Sequence, residues 1–263
     1  KVKASARVII VCFFIASLFL ILFLSAKVRQ KSHTELYFLF KYCSFSAFFS
    51  NFAAENKKSV LLNKVLRGMT VSLNHLSDLV RKRVAVAAYY FVPGVVFASW
   101  ASRIPDVKQM LHLSNGQLGT VLFAIPIGQL LMMAFSGVLV SKFGSRKMIL
   151  LAEVLYAFVL FCIGSSSTVF QLILSLVAFG MMANLMNIAT NTQACLVEKM
   201  YGRNIMSSFH GLWSLGGFSG GIIGAVFANT LLPIEVHFGA VLVMSLLIIA
   251  IGFRYLVDDA TAK

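Results

Sequence analysis

Charged side chains are scarce in this sequence. They make up 12% of its 263 residues, whereas 59% of the residues are hydrophobic. A soluble domain is about half apolar and about a quarter charged. The hydrophobic residues fall in blocks that approach the ~20 residues a helix needs to cross a bilayer. The composition therefore excludes an ordinary soluble domain and predicts an integral membrane protein that contacts the lipid bilayer.

Residues suited to metal binding or covalent chemistry are few and scattered. The four cysteines form no CxxC pair, and the five histidines form no HExxH motif and no other metal-ligand spacing. No nucleophile, base and orienting group occur together. The sequence therefore predicts no metal site, no catalytic residue and no cofactor, and it argues against an enzyme.

The net charge of +14 does not indicate a surface that binds nucleic acid, because the cations lie where a membrane protein is expected to carry them. Most of the 23 Lys and Arg residues fall within residues 1–83, and the others flank the apolar blocks. Cations are expected at such positions, because the cytoplasmic loops of membrane proteins collect Lys and Arg. Nucleic-acid binding is therefore not predicted.

Six apolar segments follow one another from residue 84 onward. In lipid the backbone polar groups must be satisfied within the segment, so each is predicted to be an α-helix. Ser114 and Gln117 have the S-x-x-Q spacing of a capping box that opens the second of them. The expected fold class is an all-α membrane protein with a bundle of six transmembrane helices, over residues 84–101, 118–140, 148–164, 169–196, 206–230 and 236–256.

The flanking cations predict the orientation of these spans. Lys and Arg precede the first span, follow the sixth, and lie between the second and third and between the fourth and fifth. The other three connections hold only Arg103 and Lys108. Both ends of the six-span unit are therefore predicted to face the cytoplasm. We expect a multi-pass protein of the bacterial cytoplasmic (inner) membrane.

Residues 1–68 differ in character from the rest. Residues 8–26 are apolar for long enough to form an extra amino-terminal helix or an uncleaved anchor. The chain does not begin with Met, and its first Met is Met69, so we favour the interpretation that residues 1–68 are upstream sequence that is not native, with an accessory anchor as the alternative. The expected domains are this extension, a basic cytoplasmic lead-in over 69–83, a six-helix unit over 84–258 and a tail over 259–263.

The connection between the second and third spans carries a motif, GVLVSKFGSRKMIL, that begins at residue 137. A glycine takes positive φ at little steric cost, which suits a tight turn, and the cations favour the cytoplasmic surface. The motif resembles the loop signature of the major facilitator superfamily. The residues that carry the resemblance are Gly137, Leu139, Gly144 and Arg146, with Lys142 matching in charge.

Two positions depart from that signature. Ser141 stands where the family usually has an acidic residue, and Ser145 replaces one of its arginines. Because the usual carboxylate is missing, we expect Arg146 to pair with Glu198 instead. The alternative interpretation of the motif is a generic basic hairpin.

Residues 103–119 and 191–221 resemble the sugar- and drug-permease-like branch of the superfamily, near the fucose permease type. The resemblance implies a transporter of a small solute, sugar-like or amphipathic, that works by alternating access between two six-helix halves. This sequence carries only the first half. We therefore expect a second half, from a homodimer or a separate chain. The alternative is a non-transporting, truncated membrane protein or an interaction partner.

Polar residues inside the spans are candidates for the wall of a solute cavity. Asn184, Asn187 and Asn191 recur at helical spacing, which places them on one face of the fourth span. Amides suit sugar hydroxyls because they both donate and accept hydrogen bonds. The alternative is that they hydrogen-bond between helices. The other cavity candidates are Gln129, His210, Trp213 and Arg103.

Glycines repeat at steps of four in the fifth span. This spacing lets a neighbouring helix approach closely, so it predicts helix packing rather than ligand contact. The predicted packing residues are Gly216, Gly217, Gly220, Gly221 and Gly224.

Acidic residues are absent from the middle of every predicted span. Glu153 lies about one turn into the third span, and Glu198 ends the fourth. Proton-coupled carriers usually hold a buried carboxylate or histidine, and past the first turn of any span the only histidine is His210. The sequence therefore does not support proton coupling.

Overall fold

The structure, a computed structural model, describes residues 78–229 and 232–259. The predictions for residues 1–68, including the segment 8–26, lie outside the described residues, as does most of the lead-in over 69–83. Within the described ranges every element is an α-helix. The helices are α1 (Asp78–Ser102), α2 (Ile104–Met110), α3 (Asn115–Leu122), α4 (Ala124–Phe143), α5 (Ser145–Gly164), α6 (Val169–Tyr201), α7 (Met206–Asn229) and α8 (Ile234–Phe253).

Six helical segments of the described part are long and apolar enough to cross a membrane. They are α1, α5, α6, α7, α8 and the 29-residue stretch Asn115–Phe143, which joins α3 to α4. These segments match the six predicted spans one to one, so the all-α membrane fold is confirmed. Several helices extend beyond the predicted limits, because polar residues such as Ser145 continue the backbone hydrogen bonding past the apolar stretch.

Side-chain caps and glycines set several helix ends. The Ser114 hydroxyl accepts the Gln117 N–H at 3.2 Å, and the Gln117 side chain accepts the Ser114 N–H at 2.9 Å. The predicted capping box is thus confirmed. Gly144 separates α4 from α5 with φ +86°, and Gly202 ends α6 with φ +63°. The positive φ expected at Gly144 is therefore observed.

Helix α1 occupies the middle of the bundle and contacts α5, α6, α7 and α8. It meets α7 with the two backbones in contact. A Cβ atom added at Gly216 would overlap the carbonyl oxygen of Phe91, and one at Gly220 would lie 2.6 Å from the carbonyl oxygen of Val95. Small side chains therefore fix the separation of these helices. The glycines in this contact are Gly94, Gly216, Gly220 and Gly224.

Gly217 and Gly221 do not take part in that contact. A Cβ atom at either position would meet no atom within 4 Å. They follow Gly216 and Gly220 by one residue, and adjacent residues of a helix do not share a face. Three of the five predicted packing glycines thus face α1, and these two leave their side of α7 open.

Helices α4 and α6 form a second close pair. A Cβ atom at Gly128 would overlap the carbonyl oxygen of Val177, and one at Gly180 would overlap that of Ile125. Gly128 and Gly180 lie in different spans and belong to no repeat, so the sequence pattern gives no signal for them. Their contact holds the second and fourth spans together.

Candidate functional site

Polar side chains of α1, α6 and α7 meet on one side of the bundle. The Tyr90 hydroxyl donates to Oδ1 of Asn191, whose Nδ2 donates to Oδ1 of Asn187 at 2.6 Å. The His210 ring meets the Tyr90 ring edge to face, with 5.3 Å between ring centroids. Tyr90 is buried and Asn191 half-buried, whereas Asn187 and His210 are exposed. We call Tyr90, Asn187, Asn191 and His210 the polar cluster.

Tyr90 is the member of the polar cluster that the sequence analysis missed. It lies in an apolar run of α1, where a tyrosine is most readily interpreted as a packing residue. Its partner Asn191 is 101 residues away along the chain. Only the packing of α1 against α6 brings the two side chains together, and no local motif marks that contact.

Asn184 lies outside the polar cluster, although it shares a helix face with Asn187 and Asn191. The Ser136 hydroxyl of α4 donates to its Oδ1 at 2.9 Å. Asn184 is half-buried and Ser136 is buried. This is the interhelical hydrogen bond that the sequence analysis gave as the alternative.

Gln129 and Trp213 are exposed on α4 and α7. Trp213 follows His210 by three residues, so both side chains lie on the same side of α7. With 45% of its surface exposed, the Trp213 ring extends the open face that the polar cluster occupies. Gln129 lies on a different helix, and no hydrogen bond joins it to the polar cluster.

Arg103 is buried and bound by other residues of the protein. It is 4% exposed; its Nε lies 2.9 Å from Oδ2 of Asp106, and its Nη2 donates to the carbonyl oxygen of Leu232 at 2.9 Å. Its charge and donors are therefore used to tie the α1–α2 junction to the segment before α8. The sequence suggested a grip on a solute because it does not show these partners.

The basic turn after α4 is held by a carboxylate from the end of the chain. Oδ1 of Asp259 accepts the Ser145 hydroxyl at 2.6 Å, and Oδ2 accepts the Arg146 N–H at 3.1 Å. Partial burial acts to raise the pKa of Asp259, but these hydrogen bonds outweigh it and hold that pKa below its ordinary value. Asp259 thus binds the amino terminus of α5, where a negative charge is favourable.

The other residues of the motif differ in exposure. Gly137 and Lys142 are exposed and Leu139 is half-buried. The Lys142 ammonium lies 5.4 Å from the centroid of the Phe143 ring. The motif therefore presents Lys142 at the surface, while its glycine–serine end is covered by Asp259.

The expected pairing of Arg146 with Glu198 is wrong. The Arg146 guanidinium donates to the carbonyl oxygen of Phe253 at 3.4 Å and lies 3.9 Å from Asp258. Glu198 instead accepts the N–H groups of Ile205 and Met206, at 2.7 and 2.8 Å. Those groups begin α7 and have no partner within the helix, so they compete successfully for the carboxylate.

Gln193 of α6 joins the basic turn to the segment after α8. Its Nε2 donates to the Ser145 hydroxyl at 2.7 Å and to the carbonyl oxygen of Val257 at 2.8 Å. Its Oε1 accepts the Val257 N–H at 2.9 Å. The side chain is fully buried, so α5, α6 and the chain after α8 share one buried hydrogen-bond network.

These elements can be compared with known proteins. The family model described as Major Facilitator Superfamily matches residues 85–263. The chain belongs to this family. The match covers five of the six membrane-spanning segments in full and α1 from residue 85 onward, and it agrees with the resemblance seen in the basic turn.

Curated relatives of this major facilitator chain come from bacteria. A Yersinia pestis protein named an uncharacterized MFS-type transporter is 34% identical over 172 residues, which is 65% of this chain and 45% of the relative. A Sinorhizobium fredii protein named an uncharacterized transporter is 33% identical over 156 residues, 58% of this chain and 41% of the relative. Membrane protein MosC of Rhizobium meliloti is 33% identical over 144 residues, 53% of this chain and 35% of the relative.

The chain thus spans less than half the length of the curated relatives it matches. No solved structure matches it. The family and the six apolar helices make it a multi-pass integral membrane protein.

The orientation predicted from the cations can be tested by cysteine labelling. Ser145 is fully buried and is a poor probe, but Gln109 and Ser141 are exposed on the two opposite ends of the bundle. We place each cysteine in a protein whose four native cysteines are serine. A membrane-impermeant maleimide on intact cells is expected to label Gln109→Cys and to leave Ser141→Cys unlabelled until the cells are permeabilised. The reverse pattern would invert the topology.

Asp259→Asn is expected to loosen the basic turn. Losing a charged acceptor should lower the free energy of unfolding at neutral pH by about 1–3 kcal/mol. Because the pKa of Asp259 is lowered on folding, its contribution is present above the ordinary value of 3.8 and is lost as pH falls through the folded-state pKa. Denaturation of purified protein checks this.

Asp258→Asn is the matched control for that variant. The Asp258 side chain is 58% exposed and 3.9 Å from Arg146, so its loss should cost about 0–1 kcal/mol. Equal effects of the two substitutions would show that Asp259 has no special role.

Proposed function

We propose that this chain supplies one six-helix half of a secondary transporter for a small polar solute, sugar-like or amphipathic. The observation that carries the proposal is the polar cluster. Its exposed Asn187 and His210 lie on the open face of the bundle, with the half-buried Asn191 and the buried Tyr90 behind them. Polar groups at membrane depth are costly in lipid and usually face a bundle interior or a water-filled path. Two of the relatives bear the name transporter, which favours transport over an enzyme activity.

The polar cluster supplies groups that suit a hydroxylated solute. Oδ1 of Asn187 already accepts from Asn191, so the Nδ2 group of Asn187 remains to donate to a solute oxygen. The exposed Trp213 ring offers an apolar face of the kind that packs on a sugar ring. Tyr90 acts through Asn191 and is a positioning residue, since its hydroxyl is used in that hydrogen bond.

A second six-helix half is part of the proposal. In facilitator-type carriers two repeats rock about a central site, and six helices form only one wall. The chain matches less than half of each relative, as expected of one wall of a two-part carrier. The likeness to the fucose permease branch and the location in the bacterial cytoplasmic membrane belong to this proposal as well.

Flux measurements with controlled assembly test the proposal. Purified chain in liposomes is compared, as a monomer and as a tandem of two linked copies, using radiolabelled hexoses, 6-deoxyhexoses and a fluorescent amphipathic cation. We expect no saturable flux from the monomer and saturable flux from the completed assembly. Saturable flux from a chain shown to be monomeric would contradict the half-carrier. If neither the tandem nor membranes that contain this chain together with a separate six-helix chain show flux, the result would favour a non-transporting membrane protein.

A substitution in the polar cluster sharpens that test. Asn187→Leu is expected to reduce flux through the completed assembly by about tenfold or more, because one hydrogen bond to the solute is lost. Ile188→Leu, at the neighbouring exposed position, is the matched control and should leave flux unchanged. Equal flux in both variants would remove Asn187 from the solute path.

A further inference from the structure

Glu153 is a buried acid that the polar cluster does not use. It lies in α5, eight residues after the first residue of the helix, Ser145, and it is 1% exposed. Neither carboxyl oxygen has a hydrogen-bond partner among the described residues. A carboxyl group placed this way inside a membrane bundle needs a physical explanation.

The neighbours of Glu153 on α1 and α5 are neutral tyrosines. Tyr89 of α1 and Tyr156 of α5 lie near enough to interact with its charge. The Tyr89 hydroxyl donates to the carbonyl oxygen of Ile249 in α8 at 3.0 Å, so it is already used. Tyr156 stacks on Phe179 of α6, with ring centroids 4.1 Å apart. These aromatic contacts close the site against water.

The helices around Glu153 bring no free counter-charge to it. Arg146 lies two turns earlier on the same face of α5, but its guanidinium contacts the Phe253 carbonyl oxygen and Asp258. Tyr90, at the middle of α1, donates its hydroxyl hydrogen to Asn191. The other titratable groups of these helices lie nearer the helix ends. They are Asp78, Arg81, Lys82 and Arg83 in α1, Lys142 in α4, Lys147 and Cys162 in α5, Cys195, Glu198, Lys199 and Tyr201 in α6, and Glu235 and His237 in α8.

An ionised carboxylate in these surroundings is strongly disfavoured, because burying an unpaired charge costs several kcal/mol or more. A protonated carboxyl carries no charge and costs far less. We propose that Glu153 is a proton-binding site: its carboxyl holds a proton in the conformation described here and releases it when the contact among α1, α5 and α8 opens to water. The ligand of the site is a proton, and no other group is needed.

The proton site is connected to the polar cluster through α1. Tyr89 and Tyr90 are consecutive residues of α1. Tyr89 lies beside Glu153 and donates to Ile249 of α8, whereas Tyr90 donates to Asn191 of the polar cluster. A movement of α1 that follows solute binding would therefore disturb both sites. This link rests on the proposed function, whereas proton binding by Glu153 does not.

The sequence did not predict this site. Measured from the start of the apolar run, Glu153 lies about one turn into the span, a position typical of an interfacial acid. The helix begins at Ser145, three residues before that run, and α1 and α8 cover the side chain. Glu153 is therefore buried by other helices rather than exposed at the interface, and no local sequence pattern indicates such burial.

Infrared spectroscopy of the full chain in lipid tests the proposal. Protein labelled with ¹³C-glutamate is measured in D₂O near neutral pH, where the C=O stretch of a protonated carboxyl is separate from carboxylate bands. We expect a labelled protonated band in the wild type, its loss in Glu153→Gln, and its retention in Glu235→Gln, which changes an exposed acid of α8. Absence of the band from the wild type, or its persistence in Glu153→Gln, overturns the proposal.

The pH dependence of unfolding is an independent measurement. At a pH above the ordinary carboxyl range, Glu153 of the unfolded chain has lost its proton, whereas Glu153 of the folded protein still holds one. Rising pH should therefore destabilise the wild type relative to Glu153→Gln. The unfolding equilibrium constant of the wild type should rise, relative to that of the variant, by up to about tenfold per pH unit. A difference that does not change with pH overturns the proposal. If the variant does not fold, the infrared titration of the wild type alone decides. Neither measurement depends on solute transport.

Discussion

Gly216→Ala is expected to prevent the accumulation of folded protein. The added methyl group would overlap the carbonyl oxygen of Phe91, and a backbone atom at the centre of α1 cannot rotate away as a side chain does. Overpacking a deformable core already costs about 1–3 kcal/mol, and separating two helices in contact over their length costs more. Fluorescence-detected size-exclusion chromatography of a fusion to a fluorescent protein measures the folded fraction.

Gly217→Ala is the matched control, one residue further along α7. Its methyl group would meet no atom within 4 Å, and alanine favours the helix by about 1 kcal/mol over glycine. This variant should accumulate at least as well as the wild type. A folded yield for Gly216→Ala equal to that of Gly217→Ala would mean that α1 and α7 are further apart than described.

Gln193→Leu is expected to be the most damaging polar substitution. It removes hydrogen bonds to Ser145 and to both backbone groups of Val257, and it leaves those groups buried. A buried polar group without a partner costs about 1–3 kcal/mol, so the loss should amount to several kcal/mol. The melting temperature of the purified protein should fall by many degrees.

Thr192→Val tests whether that effect is specific. Thr192 precedes Gln193 on α6 and is half-buried, but its hydroxyl donates only to the Ile188 carbonyl oxygen of its own helix. The shape is kept and no contact between helices is lost, so the melting temperature should change little. If Gln193→Leu has the same melting temperature as Thr192→Val, the buried network does not hold the end of the chain to α5.

The sequence predicts the six spans well for a physical reason. Backbone groups in lipid are satisfied within each helix, so long apolar runs convert directly into spans. The turn at Gly144 and the Ser114–Gln117 capping box are also local, and local chemistry is legible in a single sequence. The family resemblance of the basic turn rests on the same short stretch.

Contacts between residues far apart along the chain cannot be predicted from local sequence patterns. Gln193 reaches Val257 across 64 residues, and Ser145 reaches Asp259 across 114. Neither pair has a spacing that a helical pattern selects. Asn184 and Arg103 show the converse: both are polar residues in or beside a span, and both are bound by neighbours that the sequence does not reveal.

The central claim is that the polar cluster lines a water-filled path and does not face lipid. Reaction of Asn187→Cys with a polar maleimide in native membranes tests it most directly, because a thiol reacts through its thiolate, which requires water. Val243→Cys and Phe158→Cys, at apolar positions 59% and 50% exposed near the middle of α8 and α5, are the lipid-facing controls. The native cysteines are serine in all three proteins. We predict rapid labelling of Asn187→Cys and little labelling of the two controls, and labelling of Asn187→Cys no faster than that of the controls would contradict the account.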